Sequence, residues 1–216
     1  MRNLVFLGPP GAGKGTMAEI ATERYGHCHI STGDILRAEM KSGSDLGRKA
    51  KSFVESGGLV PDQVVADIVS GKLAEDGVRS KGFILDGYPR TVVQADLLEA
   101  ALVRLALPLE AAVLFEVDRE LLLKRLTARR LCRSCGAIFN TLYSPPAREG
   151  VCDHCGGPLY QRPDDTLETA LNRLTVYERE TLPLIAYYDR KKLLIRVSGA
   201  EARETNFALL RQRLGW

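Results

Sequence analysis

An α/β fold is predicted, with a parallel sheet wrapped by helices on both faces and interrupted by one module of different character. Three observations predict it. Short apolar runs alternate with segments of helical period along the 216 residues. The first run, Leu4-Val5-Phe6-Leu7, opens straight into Gly8-Pro9-Pro10-Gly11-Ala12-Gly13-Lys14-Gly15-Thr16. Over residues 131–161 the period vanishes, and four cysteines appear in two pairs.

A helix is predicted from Lys14 to about Tyr25. Ser31 to Gly58 reads as two short polar helices broken at Gly43. Pro61 and Asp62 start a helix through Val64, Val65, Ile68, Val69 and Leu73, which keep helical spacing. Gly82-Phe83-Ile84-Leu85-Asp86 is a buried strand ending on an acid, and Thr91 caps a helix with Leu97, Leu98, Leu102 and Leu105 inside. Ala111 to Val117 is a strand, followed by a helix from Asp118 through Arg129. After the cysteine module a long helix runs from about Thr166 to Tyr188, with a bend expected at Pro183. Leu193 to Val197 makes the last strand and Ala202 to Leu214 the last helix. Strands separated by helices imply parallel pairing, with ligands at the carboxyl ends of the strands.

A buried strand that ends in glycines and then a Lys is the sequence form of a phosphate-binding loop. Glycines let successive backbone N–H groups converge on one anion, and the following helix adds its positive dipole end. Lys14 adds a mobile charge for the β- and γ-phosphates of a nucleotide. The usual hydroxyl directly after the Lys is displaced: Gly15 intervenes, and Thr16 carries it.

The second signal is Cys132-x-x-Cys135, sixteen residues, then Cys152-x-x-Cys155. Two such knuckles inside a loop carrying Gly136, Gly156 and Gly157 read as a closed four-thiolate site, which folds its module and does no chemistry. Zinc suits it best, and iron or cobalt fits the same sulfurs. Two disulfides are the alternative in an oxidising compartment. His154 is a weaker rival ligand, and Cys28 reads as an apolar filler.

Arginines are the third signal. Arg37 follows Ser31-Thr32-Gly33-Asp34, and Arg90 follows Asp86-Gly87-Tyr88-Pro89. Arg125 and Arg129 are expected one helical turn apart on one face, while Arg162 leaves the cysteine module and Arg173 sits on the next helix. Phosphoryl transfer asks a protein for this kind of positive charge around the moving group. Asp34 and Asp86 are placed to hold waters of a Mg²⁺ ion, and Asp164 and Asp165 to orient the arginines or close the lid over them.

The chain is 45% hydrophobic and 26% charged with a net charge of +3. That balance suits a protein with a full core, and it gives no basic surface for nucleic acid or a membrane. No apolar run reaches the roughly 20 residues of a membrane span. The phosphate loop begins within ten residues of the start, leaving no room for a signal peptide, so a cytoplasmic location is expected.

GPPGAGKGT, STGDILR, GLVPD, DGYPRT followed by Gln94, the double CxxC, and QRPDD with Arg173 occur in one order over essentially the whole chain. In this the sequence resembles the adenylate kinases with a long, metal-binding lid. The resemblance implies the P-loop nucleoside monophosphate kinase fold and Mg²⁺-dependent transfer of the γ-phosphoryl group of ATP to AMP, giving two ADP. A role in adenine nucleotide homeostasis and purine salvage goes with it, as does a monomer. The core would be 1–30, 61–125 and 164–216, the monophosphate-binding insert 31–60, and the lid 126–163.

By the family's pattern Gly11, Ala12, Gly13, Lys14, Gly15 and Thr16, with Arg125, Arg129, Ile138 and Phe139, hold ATP. Thr32, Arg37, Gly58, Leu59, Val60, Gly87, Tyr88, Pro89, Arg90 and Gln94 hold AMP, with Arg162 and Arg173 reaching the phosphates from the lid side. Phe139 stands where a base-stacking Tyr is common, and Tyr88 where Phe is common, which adds a hydroxyl. The turn after Gly199 is Ala200-Glu201, where relatives often carry Lys or Gln, and its base contact is expected from the backbone. Two alternatives remain at this stage. One is a kinase for another monophosphate or with GTP as donor, and the other is a zinc-ribbon ATPase acting on nucleic acid. Against the latter, Asp86-Gly87 lacks a following Glu and no basic-aromatic surface stands out.

Overall fold

The computed structural model describes residues 2–216. Five parallel strands, β1 (Asn3–Leu7), β2 (Cys28–Ser31), β3 (Phe83–Asp86), β4 (Ala111–Glu116) and β8 (Leu194–Ser198), lie in the order β2-β3-β1-β4-β8. Their apolar runs explain the parallel arrangement, since both faces of the sheet are covered. Val5, Leu7, Leu85 and Leu114 pack into one core layer. Leu4, Phe6, Ile84, Val113 and Phe115 pack into the other.

Helices α1 (Lys14–Tyr25), α2 (Thr32–Ser42), α3 (Asp45–Ser56), α4 (Asp62–Leu73), α6 (Val92–Leu105) and α10 (Arg203–Leu214) fall where the periodicity predicts. Ser31, Ser44 and Thr91 cap α2, α3 and α6, each side chain accepting a first-turn N–H. Gly43 ends α2 in the left-handed conformation, as its position in the sequence suggests. On α6, Leu98 and Leu102 are buried, while Leu97 and Leu105 are partly so. A short helix α5 (Asp76–Lys81), anchored by buried Val78, adds an element that carries no apolar period.

One expectation is corrected. Helix α7 (Arg119–Thr127) ends at Thr127, and Arg129 begins a strand, β5 (Arg129–Cys132). Arg125 and Arg129 therefore do not share a helix face. The long helix expected over 166–188 is present with an irregularity where a bend is expected: α8 (Leu167–Val176) passes through a π-turn (Tyr177–Thr181) into α9 (Pro183–Arg190). Pro183 lacks the N–H that would continue the ladder, so the irregularity falls just before it.

The cysteine module is a three-stranded antiparallel sheet of β6 (Ile138–Asn140), β5 and β7 (Leu159–Tyr160). Its apolar interior is little more than Cys132, Phe139 and Cys152, with Ala137 and Leu159 against them. A core this small does not fold a module unaided.

Candidate functional site

Register assembles the site at the carboxyl ends of the strands. Phe6 pairs with Asp86, and Asp86 with Ser31, so the phosphate loop, the acid and the start of α2 stand side by side. Gly8, Gly11 and Gly13 all take positive φ. At Gly8 a Cβ would also lie 2.8 Å from the Phe115 carbonyl, so the loop can turn there only as glycine. Gly13 enters α1 without a side-chain cap, leaving the first-turn N–H groups directed into the loop. A Cβ on Gly15 would lie 3.2 Å from Asp86 Oδ2, so the acid closely approaches the backbone there.

Lys14 Nζ donates to the carbonyls of Gly8 (2.8 Å) and Pro9 (2.9 Å). Burial brings its pKa down to about 8; Asp86 opposes this, and Arg90, Arg173 and Arg129 add to it. Asp86 is held below the ordinary carboxylate range. Burial works the other way, but the neighbouring His29 imidazole and the Lys14 charge outweigh it. His29, whose Nε2 is 3.6 Å from Asp86 Oδ2, is pulled up by that carboxylate against its own burial. His29 lies outside the sequence motifs and was not singled out by them.

Five arginines join Lys14. Arg90 Nε donates to the Gly87 carbonyl, to which the Thr32 hydroxyl also donates at 2.9 Å. Arg37 is clasped by Asp34 at 2.5 Å, so Asp34 serves an arginine first. Arg129 donates to both oxygens of Asp165 (2.8 and 2.5 Å). Arg173 reaches Asp165 at 2.9 Å and Asp164 at 3.1 Å. Asp165 is fully buried and joins an arginine of the cysteine module to one of α8. Arg162 is buried, its Nε has no partner, and its closest carboxylate, Asp34, is 4.0 Å away. Burial, reinforced by neighbouring arginines, lowers the pKa of both Arg90 and Arg162 to about 10. Six cations thus face the carboxylates of Asp34, Asp86, Asp164 and Asp165. This excess of positive charge suits a polyphosphate.

Arg125 stands apart. It donates to the carbonyls of Gly199 (2.6 Å) and Ala200 (2.9 Å) and lies over the Tyr143 ring. Asn206 holds the same turn from the other side, donating to Gly199 and Glu201. On β6 the residues alternate: Ile138 is 39% exposed, while Phe139 is 6% exposed and meets His154 edge-on inside the cysteine module. Ile138, not the Phe139 ring, is the face presented outward.

A cleft between α2, α3 and the Gly87–Arg90 turn is lined by Thr32, Arg37, Gly58, Leu59, Val60 and Gln94. Gln94 is buried, and the Tyr88 hydroxyl donates to its backbone carbonyl at 3.0 Å. Pro89 follows a cis peptide bond.

The cysteines form two matching knuckles. Gly136 N–H donates to the Cys132 carbonyl and Gly156 N–H to the Cys152 carbonyl, with both glycines at positive φ. The Cys132–Cys155 and Cys135–Cys152 sulfurs are 3.4 and 3.6 Å apart, and all four lie within 4.8 Å of one another. A tetrahedral ion with bonds of about 2.3 Å would set its sulfurs about 3.8 Å apart, so the residues fit a metal. All five cysteines are free thiols. No helix among the described residues is long and apolar enough to cross a membrane.

The sequence model of the adenylate kinase family matches residues 6–193. The adenylate kinase of a Geobacillus strain is 48% identical over 213 residues, covering 99% of this chain and 98% of its own. That of Desulfitobacterium hafniense is 54% identical over 195 residues, covering 90% and 89%. That of Geobacter sulfurreducens is 52% identical over 202 residues, covering 94% and 93%. Matched by the family model over most of its length and by relatives near 50% identity end to end, the chain belongs to the adenylate kinase family.

Proposed function

We propose that the chain transfers the γ-phosphoryl group of ATP reversibly to AMP, in line, between two sites that meet at Lys14 and the arginines. The observation that carries this reading is the buried excess of positive charge between the phosphate loop and the Thr32–Gln94 cleft. The acceptor oxygen of a monophosphate is already ionised at neutral pH, so no general base is required. The work left to the protein is alignment and charge stabilisation.

AMP would lie in the cleft, its phosphate on Arg37 and Arg90, and its base against Gln94 and the Gly58–Val60 backbone. ATP would lie with its phosphates on Gly11 to Thr16, Lys14, Arg129, Arg162 and Arg173. Its base would lie between Arg125, Ile138 and the 199–201 turn. Adenylate kinases use Mg²⁺ with ATP, and bound here it would offset charge developing on the phosphates. Asp86, anionic beside the loop, is the residue fitted to hold a water of that ion. The metal of the cysteine module is assigned as zinc, on the chemistry of four thiolates.

Residues 31–60 and 126–163 would move as an insert and a lid on the remaining core. The Ser56 carbonyl accepts from Asn172, and Gly57 packs on Arg173, contacts that the insert would give up in swinging off α8 to admit AMP. Closing again excludes the water that would otherwise hydrolyse ATP. A cytoplasmic monomer goes with this reading.

The test is a coupled assay for ADP with ATP and Mg²⁺, offering AMP, UMP, CMP, GMP or dTMP in turn beside a water-only control. Turnover with AMP alone is expected. Preference for another monophosphate would overturn the acceptor assignment, and ADP release without acceptor would point to an ATPase.

A further inference from the structure

We propose that Asp62 sets the base specificity of the acceptor site by fixing which way round the Gln94 amide faces. The inference rests on the reading above that Gln94 meets the base of the monophosphate. A carboxamide carries an acceptor on one side and a donor on the other. Rotating it by half a turn exchanges them without changing its shape. Left free, such a group can serve either of two opposite base edges.

In this protein the rotation is opposed by two partners of fixed character. The Arg90 backbone N–H can only donate, and it lies 2.7 Å from Gln94 Oε1. The Asp62 carboxylate can only accept, and its Oδ1 lies 2.8 Å from Gln94 Nε2. A flipped amide would set its NH₂ against the Arg90 N–H and its oxygen against the carboxylate, two repulsive contacts in a buried place. Asp62 is held in turn. The Thr91 hydroxyl donates to the same Oδ1 at 3.2 Å while accepting the Gln94 backbone N–H at 3.1 Å. The pair is 32 positions apart in sequence and joins the first turn of α4 to the first turn of α6.

The lock leaves one proton on Nε2 and one lone pair on Oε1, offered side by side in a fixed order. Adenine presents the complement, an acceptor at N1 and a donor at its 6-amino group. Hypoxanthine and guanine present the inverse, a donor at N1 and an acceptor at O6. A site with fixed polar groups rejects the inverse edge because both sets of groups are left opposed. Asp62 reaches no base itself and acts as a positioning residue.

The test compares kcat and KM for AMP and IMP, since IMP inverts the edge without adding a 2-amino group. Asp62→Leu is expected to raise KM for AMP about tenfold with kcat within about threefold, and to cut the AMP-over-IMP preference in kcat/KM by about tenfold. Asp62→Asn retains an acceptor oxygen and is expected to keep most of the preference. If Asp62→Leu perturbs folding, judged by circular dichroism and melting, Asp62→Ala is read in its place. A folded variant lacking the carboxylate that discriminates as well as the parent would overturn the proposal. Gln94→Leu separates the two readings. If it leaves the preference intact, Gln94 does not read the base. If it removes the preference while Asp62→Leu does not, only the role of Asp62 falls.

Discussion

Around Gln94 the polar groups hold one another in an arrangement a ligand can use, whereas around Lys14 they hold one another in an arrangement a ligand must break. Gln94, Asp62, Thr91 and the Arg90 N–H satisfy each other and still leave hydrogen-bonding capacity pointing one way. Lys14 is turned back on Gly8 and Pro9, and Arg125 is spent on the carbonyls of Gly199 and Ala200. Recognition of the acceptor base is therefore preorganised, whereas recognition of the phosphates, by Arg37 and Arg90 as much as by Lys14, is an exchange of internal bonds for bonds to the ligand. The first favours discrimination and the second favours release, because the phosphate-binding side chains have internal partners to return to.

The largest effect should come from removing the group that makes the exchange. Lys14→Gln keeps a donor on a side chain one bond shorter but loses the charge near the transferring phosphoryl group. The expected loss is about 10³-fold in kcat, of the order measured for a single electrostatic contact to a transition state. Rapid-quench turnover checks it, and a loss below about tenfold would show that Arg90 and Arg173 suffice.

Asp165 is where the two sides are tied together. Asp165→Asn leaves Arg129 and Arg173 without their buried counter-ion. The expected cost is about 3 kcal/mol of stability, the lower end of what breaking one side of a buried pair costs. A chain of this size would melt roughly 6–12 °C lower. Calorimetry reads the melting, and an unchanged midpoint would mean that Asp164 takes over both arginines. Removing the metal from the cysteine module should lower thermal stability first and turnover only secondarily, since Cys132 and Cys152 belong to the module's own small core. Melting and activity before and after chelation check this order, and metal-free protein that melted unchanged would refute it.

The same division governs what was legible in the sequence. Strands β1, β3 and β4 and the phosphate loop announce themselves because apolar runs and glycines act locally. Arg129 was misread as helical because nothing between Leu126 and Arg129 marks a stop: no glycine or proline intervenes, and Ala128 ends α7 in an ordinary right-handed conformation. The strand that follows is dictated by its partners at 138–140, which local periodicity cannot see. His29 beside Asp86 and Asp62 beside Gln94 are likewise pairings across the sheet or between helices. The cysteine knuckles were readable for the opposite reason, since each closes within four residues.

The smallest expected effect is a proton. In the nucleotide-free protein Lys14 titrates at about 8 because it is buried among arginines. A polyphosphate on the loop favours the ammonium form, so its pKa is higher in the complex than in the free protein. Where the complex binds more protons than its parts, binding takes one up, and affinity falls as pH rises. Below about pH 7 Lys14 is charged in both states, and no dependence arises from it. Through pH 8 to 9 the free protein loses the charge, and affinity for a non-hydrolysable ATP analogue should weaken by up to about tenfold per pH unit. Monophosphate affinity should change less, because Arg90, lowered only to about 10, would carry that site in place of Lys14. Titration calorimetry at pH 8.5 in two buffers of different ionisation enthalpy measures the uptake directly. A fraction of a proton taken up with the triphosphate, and less with AMP, would place the exchange on Lys14. Equal uptake with both would move it to the shared arginines and erase the asymmetry between the two sides.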